Sequence, residues 1–452
     1  MFFTKNKIIL ILGLGKSGIA AVNLANREGF KVTAIDQRIN DYLLDIKKEL
    51  SATQNSIILD FNDKILPECD LIVISPGISP NSFLGKLAEK TGVEIISEIE
   101  FAYRFCKFPI IAITGTNGKT TVTELCHHLL SGSGLKTITA GNIGKPLSEI
   151  IMNEEKYDYI ILELSSFQLH YIDTFIPFIS VILNIDSDHI DWHGSLDNYI
   201  HDKMNIIKNI DLKNKIVINY TLLDILIKFK NKCSVKSFSL NSDKADFFIK
   251  NGKLYHKNIF ICSIDKFSNL KSLHNLENIM AVLGVCNIIG LDLNKSIELT
   301  SDFQLGMHRM ELVIEHKNIK YINDSKSTNP LALIAAVNSC SGDKNICLIA
   351  GGLDKNMDFS GILYLDGKIK KVFLTGKSKN KLAKLCKSVL NNSIYETFKD
   401  AVHAACDYST SGDVVLLSPG CASMDMFKNY EDRGNYFKKL INRRILDEVQ
   451  SS

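Results

Sequence analysis

The sequence predicts an α/β protein of more than one domain, built on mostly parallel sheets. Three observations carry that prediction. Short β-branched apolar runs alternate with helical stretches along the chain. Two of these runs end in glycine-rich turns that open helices. At 452 residues the chain exceeds what one hydrophobic core usually supports, so two or three domains are expected.

Composition narrows the class. Hydrophobic content of 45% and charged content of 23% are ordinary for a soluble globular protein. A net charge of +3, with scattered lysines, is too small to argue for nucleic acid or an acidic membrane surface, and neither is expected as a partner. The 11 cysteines are dispersed and form no C-x-x-C pair, which fits reduced, mostly buried thiols in a cytoplasmic protein rather than a disulfide framework or structural zinc. Lys5 and Lys7 before Ile8 to Leu12 resemble the start of a signal peptide. Gly13 and Gly15 interrupt the apolar run and Lys16 follows at once, so a buried first strand is expected instead. No run approaches the ~18 apolar residues of a membrane span. There is no internal repeat and no low-complexity linker.

In the N-terminal third, the strand Lys7 to Leu12 leads into Gly13-Leu14-Gly15-Lys16-Ser17-Gly18 and an apolar helix through Ala25. A second strand, Lys31 to Asp36, ends in an acid. Together these form a G-x-G-x-x-G dinucleotide fingerprint with a carboxylate placed for a ribose; the alternative for Asp36 is a solvated strand end. A third strand, Asp70 to Ser75, runs into Pro76-Gly77, a turn where backbone can approach a ligand. The fingerprint indicates the diphosphate of a nucleotide without saying which, and NAD remains open.

In the middle third, Ile110 to Ile113 ends in Thr114-Gly115-Thr116-Asn117-Gly118-Lys119-Thr120-Thr121 at a helix start. Glycines let backbone N–H groups close on phosphate oxygens, the helix N-terminus adds partial positive charge, and Lys119 adds a full one. Thr120 is placed to bind a magnesium ion that bridges phosphates. The usual pattern asks for Gly where this chain has Ile113, so the turn is a shortened variant of a nucleoside triphosphate site. Further strands end at Glu163 and near Asn184, and Asp186-Ser-Asp-His189 follows the second. Ligands of parallel sheets gather at such carboxyl ends, where Glu163 and His189 can hold a metal or orient a substrate; a solvated loop is the alternative for the Asp/His segment. Lys203, by pattern alone, reads as a helix-surface lysine. Residues 212 to 270 are rich in lysine and asparagine and carry no recognisable chemistry. Asn275 and Asn278 begin a helix running to about Ile289, either reading an adenine edge or capping the helix.

The C-terminal third shows four apolar strands, at Lys320 to Asn323, Ile346 to Ala350, Val372 to Thr375 and Val414 to Leu417. Their turns collect Asp324, Lys326, Thr328, Lys355, Lys377 and Ser423, and His308-Arg309 precedes the first strand. Cationic and hydroxyl side chains at strand ends suit carboxylate or phosphate ligands.

With these motifs in hand, the chain resembles the Mur ligases of bacterial peptidoglycan synthesis along nearly its whole length. Thr114 to Thr121 looks like their shared ATP loop, and Glu163-Leu-Ser-Ser-Phe-Gln-Leu169 and Leu183 to His189 look like their second and third blocks. Asn323 to Pro330 and Leu417 to Gly434 are similar to segments that mark the D-glutamate-adding branch. The resemblance implies three domains: a Rossmann-like nucleotide-binding domain at 1–98 for the UDP substrate, a central P-loop ATPase domain at 99–303, and a C-terminal Rossmann-like α/β domain at 304–452 for the amino acid. It implies ATP-dependent amide formation between UDP-N-acetylmuramoyl-L-alanine and D-glutamate through an acyl phosphate, by a monomer acting on small molecules.

The same resemblance distributes roles. Gly115, Thr116, Asn117, Gly118, Lys119, Thr120 and Thr121, with Asn275, Asn278, Arg309 and Asp324, would bind ATP. Lys16, Ser17, Asp36, Ser75, Gly77, Asn142 and His189 would meet the UDP substrate. Thr328, Lys355, Ser423 and Tyr430 would hold D-glutamate, and Lys119, Glu163, His189, Lys203, Lys326 and Lys355 would carry the chemistry. Thr120, Glu163, His189 and a carbamylated Lys203 would hold two Mg2+ ions. An ammonium ~5 Å from a divalent ion is repelled by about 7 kcal/mol at an effective dielectric of ~20, and a carbamate reverses that sign. Two departures stand out: Tyr430 where Phe is expected, and Asn356 after Lys355 where Gly is common. The alternatives are another amino-acid ligase of the same family, an NAD-dependent dehydrogenase, which would leave the phosphate loop without a task, and a nucleotide-binding regulator that hydrolyses ATP without ligating.

Overall fold

The computed structural model describes residues 7–51, 53, 55–229, 233–267, 270, 272–355, 357–387 and 389–450; Lys5 and Asn356 lie outside the described residues. Its contacts divide the chain into two compact units. The first holds Met1–Asp186, Trp192–Ser268 and Leu276–Asp302, and the second Ser187–Asp191, Asn269–Asn275 and Phe303–Ser452.

The first unit carries two sheets. Strands β1 (Ile8–Leu12), β2 (Lys31–Ile35), β3 (Ser56–Ile58), β4 (Leu71–Ile74) and β5 (Ile95–Ser97) form a parallel sheet in the order β3-β2-β1-β4-β5. β3 and β5 are too short to show a period in the sequence. Both faces of this sheet are covered: Ile9 and Ile11 face one apolar cluster, Leu10 and Leu12 another. A strand buried on both faces reads as an unbroken apolar run, which is how β1 appears in the sequence.

The second sheet comprises β6 (Ile110–Thr114), β7 (Thr137–Gly141), β8 (Tyr159–Glu163), β9 (Ile179–Ile182), β10 (Lys215–Asn219), β11 (Ser234–Ser239), β12 (Phe247–Lys250), β13 (Lys253–His256) and β14 (Ile259–Ser263). Their order is β14-β13-β12-β11-β10-β9-β6-β8-β7, parallel except for the antiparallel β12-β13-β14 meander. The lysine-rich stretch after residue 212 therefore extends the sheet. The sheets share one core, in which Ile9, Ile99, Phe101, Ile110, Leu147 and Ile160 belong to a single cluster. The expected division at residue 98 falls inside this unit.

The second unit is built on β15 (Glu311–His316), β16 (Ile319–Asn323), β17 (Ile346–Ala350), β18 (Ile369–Leu374), β19 (Asn392–Ile394) and β20 (Val414–Leu417), in the order β15-β16-β20-β17-β18-β19. Among the described strands of this sheet only β15 pairs antiparallel. Alternation again serves two faces, with Leu348 and Leu416 in one core and Ile349 and Leu417 in the other. Among the described residues no helix is long and apolar enough to cross a membrane, and all 11 cysteines are free thiols.

Candidate active site

The turn after β1 shapes the first cavity. A Cβ on Gly18 would lie 1.8 Å from the Gly13 carbonyl oxygen, so only glycine lets the helix Lys16–Arg27 start this close to the strand. The resulting cavity of about 460 Å³ is lined by Lys16, Ser17, Asp36, Ser75 and Gly77, with Arg38 among its other walls. Asp36 is not the solvated strand end that its sequence position allowed. It is 4% exposed, and its Oδ2 accepts the Leu14 N–H at 2.9 Å while both oxygens pair with Arg38. Burial pushes its carboxyl up, but the hydrogen bonds from Arg38 and Leu14 outweigh that and hold it below its usual range. Asp36 thus fixes the turn and aims Arg38, a residue that sequence reasoning passed over.

The phosphate loop follows β6. Gly118 sits at φ +85°, capping the helix Lys119–Gly132, and a Cβ there would meet Asn278 Oδ1 at 2.4 Å. Lys119 curls back, its Nζ donating to the carbonyls of Gly115 at 2.8 Å and Thr116 at 2.9 Å. The loop is braced from β9, which ends at Ile182 and releases Asn184: Asn184 Oδ1 accepts the Asn117 N–H at 2.8 Å and its Nδ2 donates back to Asn117 O at 3.1 Å. Thr116 Oγ1 lies 3.0 Å from the Tyr199 hydroxyl. Thr120 and Thr121 are buried at the helix start. Asn275 and Asn278 lie inside the helix Leu273–Ile289 rather than before it, so neither is its N-cap.

Glu163 closes β8 and is 1% exposed. Its Oε1 accepts from Asn142 Nδ2 at 2.7 Å, and its Oε2 is buried without a hydrogen-bond partner among the described residues. A buried, unsatisfied carboxylate oxygen is costly and points to a ligand. Lys203 corrects the surface reading outright. It lies on the helix Leu196–Met204, is 1% exposed, donates from Nζ to Gly115 O at 2.8 Å and stands 4.6 Å from the Tyr199 ring centroid. Lys119 and Lys203 thus bring two ammonium groups to one carbonyl oxygen. The pattern missed this because long-range packing, not local period, buries Lys203.

In the second unit, Asp324 follows β16. Ser418 Oγ donates to its Oδ2 at 2.8 Å and the Met310 N–H to its Oδ1 at 3.2 Å, and burial raises its carboxyl to about 7. Arg309, directly before Met310, lowers the same carboxyl by its charge. Lys326 lies 5.1 Å from the Tyr430 ring centroid. Ser423 is buried and Thr328 half-buried. Lys355 Nζ lies 3.4 Å from Nδ1 of His189, whose φ is +54°. Beneath these loops Arg433, 1% exposed, donates to Ser325 Oγ, Ser325 O and Cys421 O, all neutral, and burial lowers its guanidinium to about 10. It ties the segment after β16 to the segment after β20.

Comparison with known proteins converges on one family. Residues 7–97 match the MurD-like N-terminal domain of Mur ligases, 113–286 the Mur ligase middle domain, and 308–421 the Mur ligase glutamate ligase domain. The chain belongs to the Mur ligase family. A UDP-N-acetylmuramoylalanine–D-glutamate ligase of Caldanaerobacter subterraneus subsp. tengcongensis is 37% identical over 97% of this chain and 98% of its own length. One from Thermoanaerobacter pseudethanolicus is 38% identical over 97% and 98%. In fold, the chain is similar to the UDP-N-acetylmuramate-alanine ligase MurC of Thermotoga maritima (TM-score 0.61, 18% identity, covering 99% of this chain and 100% of that one). It is also similar to the MurF ligase of the same organism solved with ADP (TM-score 0.61, 17% identity, 98% and 96%).

Whether this Mur ligase chain suits magnesium is decided by its donors. Among the described residues no group of three or more His, Cys, Asp or Glu side chains gathers to hold a metal. Glu163 offers one carboxylate oxygen without a hydrogen-bond partner among the described residues, and Thr120 is buried at the loop, a sparse oxygen set of the kind Mg2+ uses when phosphates and water complete its shell. The residues fit. Sequence reasoning missed Arg38, which pairs with Asp36 two residues away, and Asn184, Tyr199 and the buried Ser166, His193 and Asp202, which the fold brings to partners on other elements.

Proposed function

We infer that the chain is an ATP-dependent ligase that joins D-glutamate to UDP-N-acetylmuramoyl-L-alanine in cytoplasmic peptidoglycan precursor synthesis. What carries the reading is one unit that presents Lys119, Thr120 and the unsatisfied Glu163 oxygen together, in a chain matched over 97% of its length by ligases of that name. ATP phosphorylates the L-alanine carboxylate. The D-glutamate amine then attacks the acyl carbon, the C–N bond forms, the amine loses its proton, and phosphate leaves with the C–O electrons. Lys119 neutralises charge on the transferring phosphoryl group.

The cavity at Lys16, Ser17, Asp36, Ser75 and Gly77 takes the UDP end of the substrate, with Asn142 and His189 toward the muramoyl end. Asn275 and Asn278 take the adenine; Arg309, Asp324 and Lys326 meet the nucleotide and phosphate; Thr328, Lys355, Ser423 and Tyr430 take D-glutamate. Two magnesium ions held by Thr120, Glu163, His189 and Lys203 as its carbamate would supply charge to the ATP phosphates. Adding CO2 to the Lys203 amine removes the like charge beside Lys119 and provides oxygen ligands. The enzyme acts as a monomer on these small molecules.

The test is inorganic phosphate release from ATP with UDP-N-acetylmuramoyl-L-alanine and amino acids supplied singly. Release is expected only with D-glutamate. Release with L-alanine or a diamino acid instead would keep the family and overturn the acceptor, and release without any acceptor would overturn ligation.

A further inference from the structure

A buried polar chain stands outside every role assigned above. Ser166 Oγ lies 2.9 Å from His193 Nε2, His193 Nδ1 lies 2.7 Å from Asp202 Oδ2, and His170 Nδ1 lies 2.9 Å from Asp202 Oδ1. Ser166, His193 and Asp202 are all under a tenth exposed. We propose that His193 and Asp202 are positioning residues that hold the helix Leu196–Met204 in the rotation that presents Lys203 to the phosphate loop. The inference rests on the reading of Lys203 given above.

Two sets of contacts on one helix support it. Tyr199 and Lys203, one turn apart, share a face and meet Thr116 and Gly115 of the loop. Asp202, adjacent to Lys203 and so about 100° around the helix, faces the helix Ser166–His170, which starts just past Glu163. The chain therefore connects the segment carrying Glu163 with the segment carrying Lys203. His193 cannot swing away, because its ring is packed against Phe167, Trp192 and Tyr199 at 5.5, 4.5 and 5.1 Å. A Ser–His–Asp order also activates serine in hydrolases. Here Ser166 is 2% exposed and no substrate carbon can reach its hydroxyl, so the arrangement positions rather than reacts.

The experiment compares the full-length wild type with Asp202→Asn in 13C-bicarbonate and magnesium. It reads the carbamate carbon by NMR, the half-saturating Mg2+ by phosphate release, and KM for the UDP substrate. In the variant the carbamate signal at fixed bicarbonate should fall several-fold and half-saturating Mg2+ should rise roughly tenfold, the usual effect of losing a group that orients a metal ligand. KM for the UDP substrate should not move, since its cavity is untouched. A folded variant with unchanged carbamate and unchanged Mg2+ dependence overturns the proposal. If Asp202→Asn fails to fold, Ser166→Ala removes only the far bond and should shift both readouts less, in the same direction; no shift there also overturns it. A wild type without carbamate would end the Lys203 reading, and the Mg2+ shift alone would then decide the positioning role.

Discussion

Replacing Glu98 by Gln should change the pH dependence of stability more than any surface substitution. Glu98 opens the helix Glu98–Tyr103 and is 2% exposed. Its Oε1 accepts the Ser148 N–H at 2.6 Å, and its Oε2 is buried with no partner among the described residues. Burial raises its carboxyl from the ordinary 4.5 to about 7, against the lowering effect of hydrogen bonds to Ser148. The sign follows from linkage: a carboxyl that binds its proton more tightly when folded contributes stability below about 4.5 that is lost as pH rises toward 7 and beyond. Between pH 5 and pH 8 the wild type should lose roughly 2 to 3 kcal/mol from this group alone, at about 1.4 kcal/mol per tenfold. Glu98→Gln keeps the acceptor for Ser148 and carries no charge, so that loss should vanish. The buried amide nitrogen gains no guaranteed partner, which costs about 1 kcal/mol at either pH. Urea denaturation should therefore show the variant slightly weaker at pH 5 and stronger by about 1 to 2 kcal/mol at pH 8. A difference independent of pH would refute the burial of an ionisable Glu98.

Three further outcomes are expected. Gly118→Ala forces a side chain into the left-handed region and onto Asn278 Oδ1; stability should fall by about 1–3 kcal/mol and ADP affinity, titrated with a fluorescent analogue, at least about tenfold. Unchanged affinity would detach Asn278 and the loop from nucleotide binding. Lys119→Ala should lower the rate of phosphate release by ~10²–10³, and a loss below about tenfold would contradict its charge-neutralising role. Arg433→Lys cannot reproduce three planar donations to Ser325 and Cys421; it should cost about 2 kcal/mol and raise KM for D-glutamate. An unchanged thermal midpoint would show that the guanidinium does not hold these segments.

Much of this protein is local, and what is local was legible. The alternation of apolar strands with helices, the Gly13 to Gly18 and Gly115 to Lys119 turns, and the carboxyl-end position of Glu163 all depend on neighbours in sequence. A turn needs its glycines, and a phosphate loop its lysine, wherever the chain goes next. The short strands Ser56–Ile58, Ile95–Ser97 and Asn392–Ile394 left no period to read, because pairing rather than pattern makes them strands. Lys203 looked like a surface lysine because local period does not show its burial; its ammonium lies against the Tyr199 ring and donates to Gly115, nearly ninety residues away. Asp36, a strand-end acid in the sequence, also anchors Leu14 and Arg38, and the pairing of Ser166 with His193 and of His193 with Asp202 joined residues no spacing connects. Local order sets which groups can act on phosphate. Long-range packing sets which of them are dry, because the cost of burying a polar or charged group depends on every atom packed around it, wherever in the chain those atoms lie.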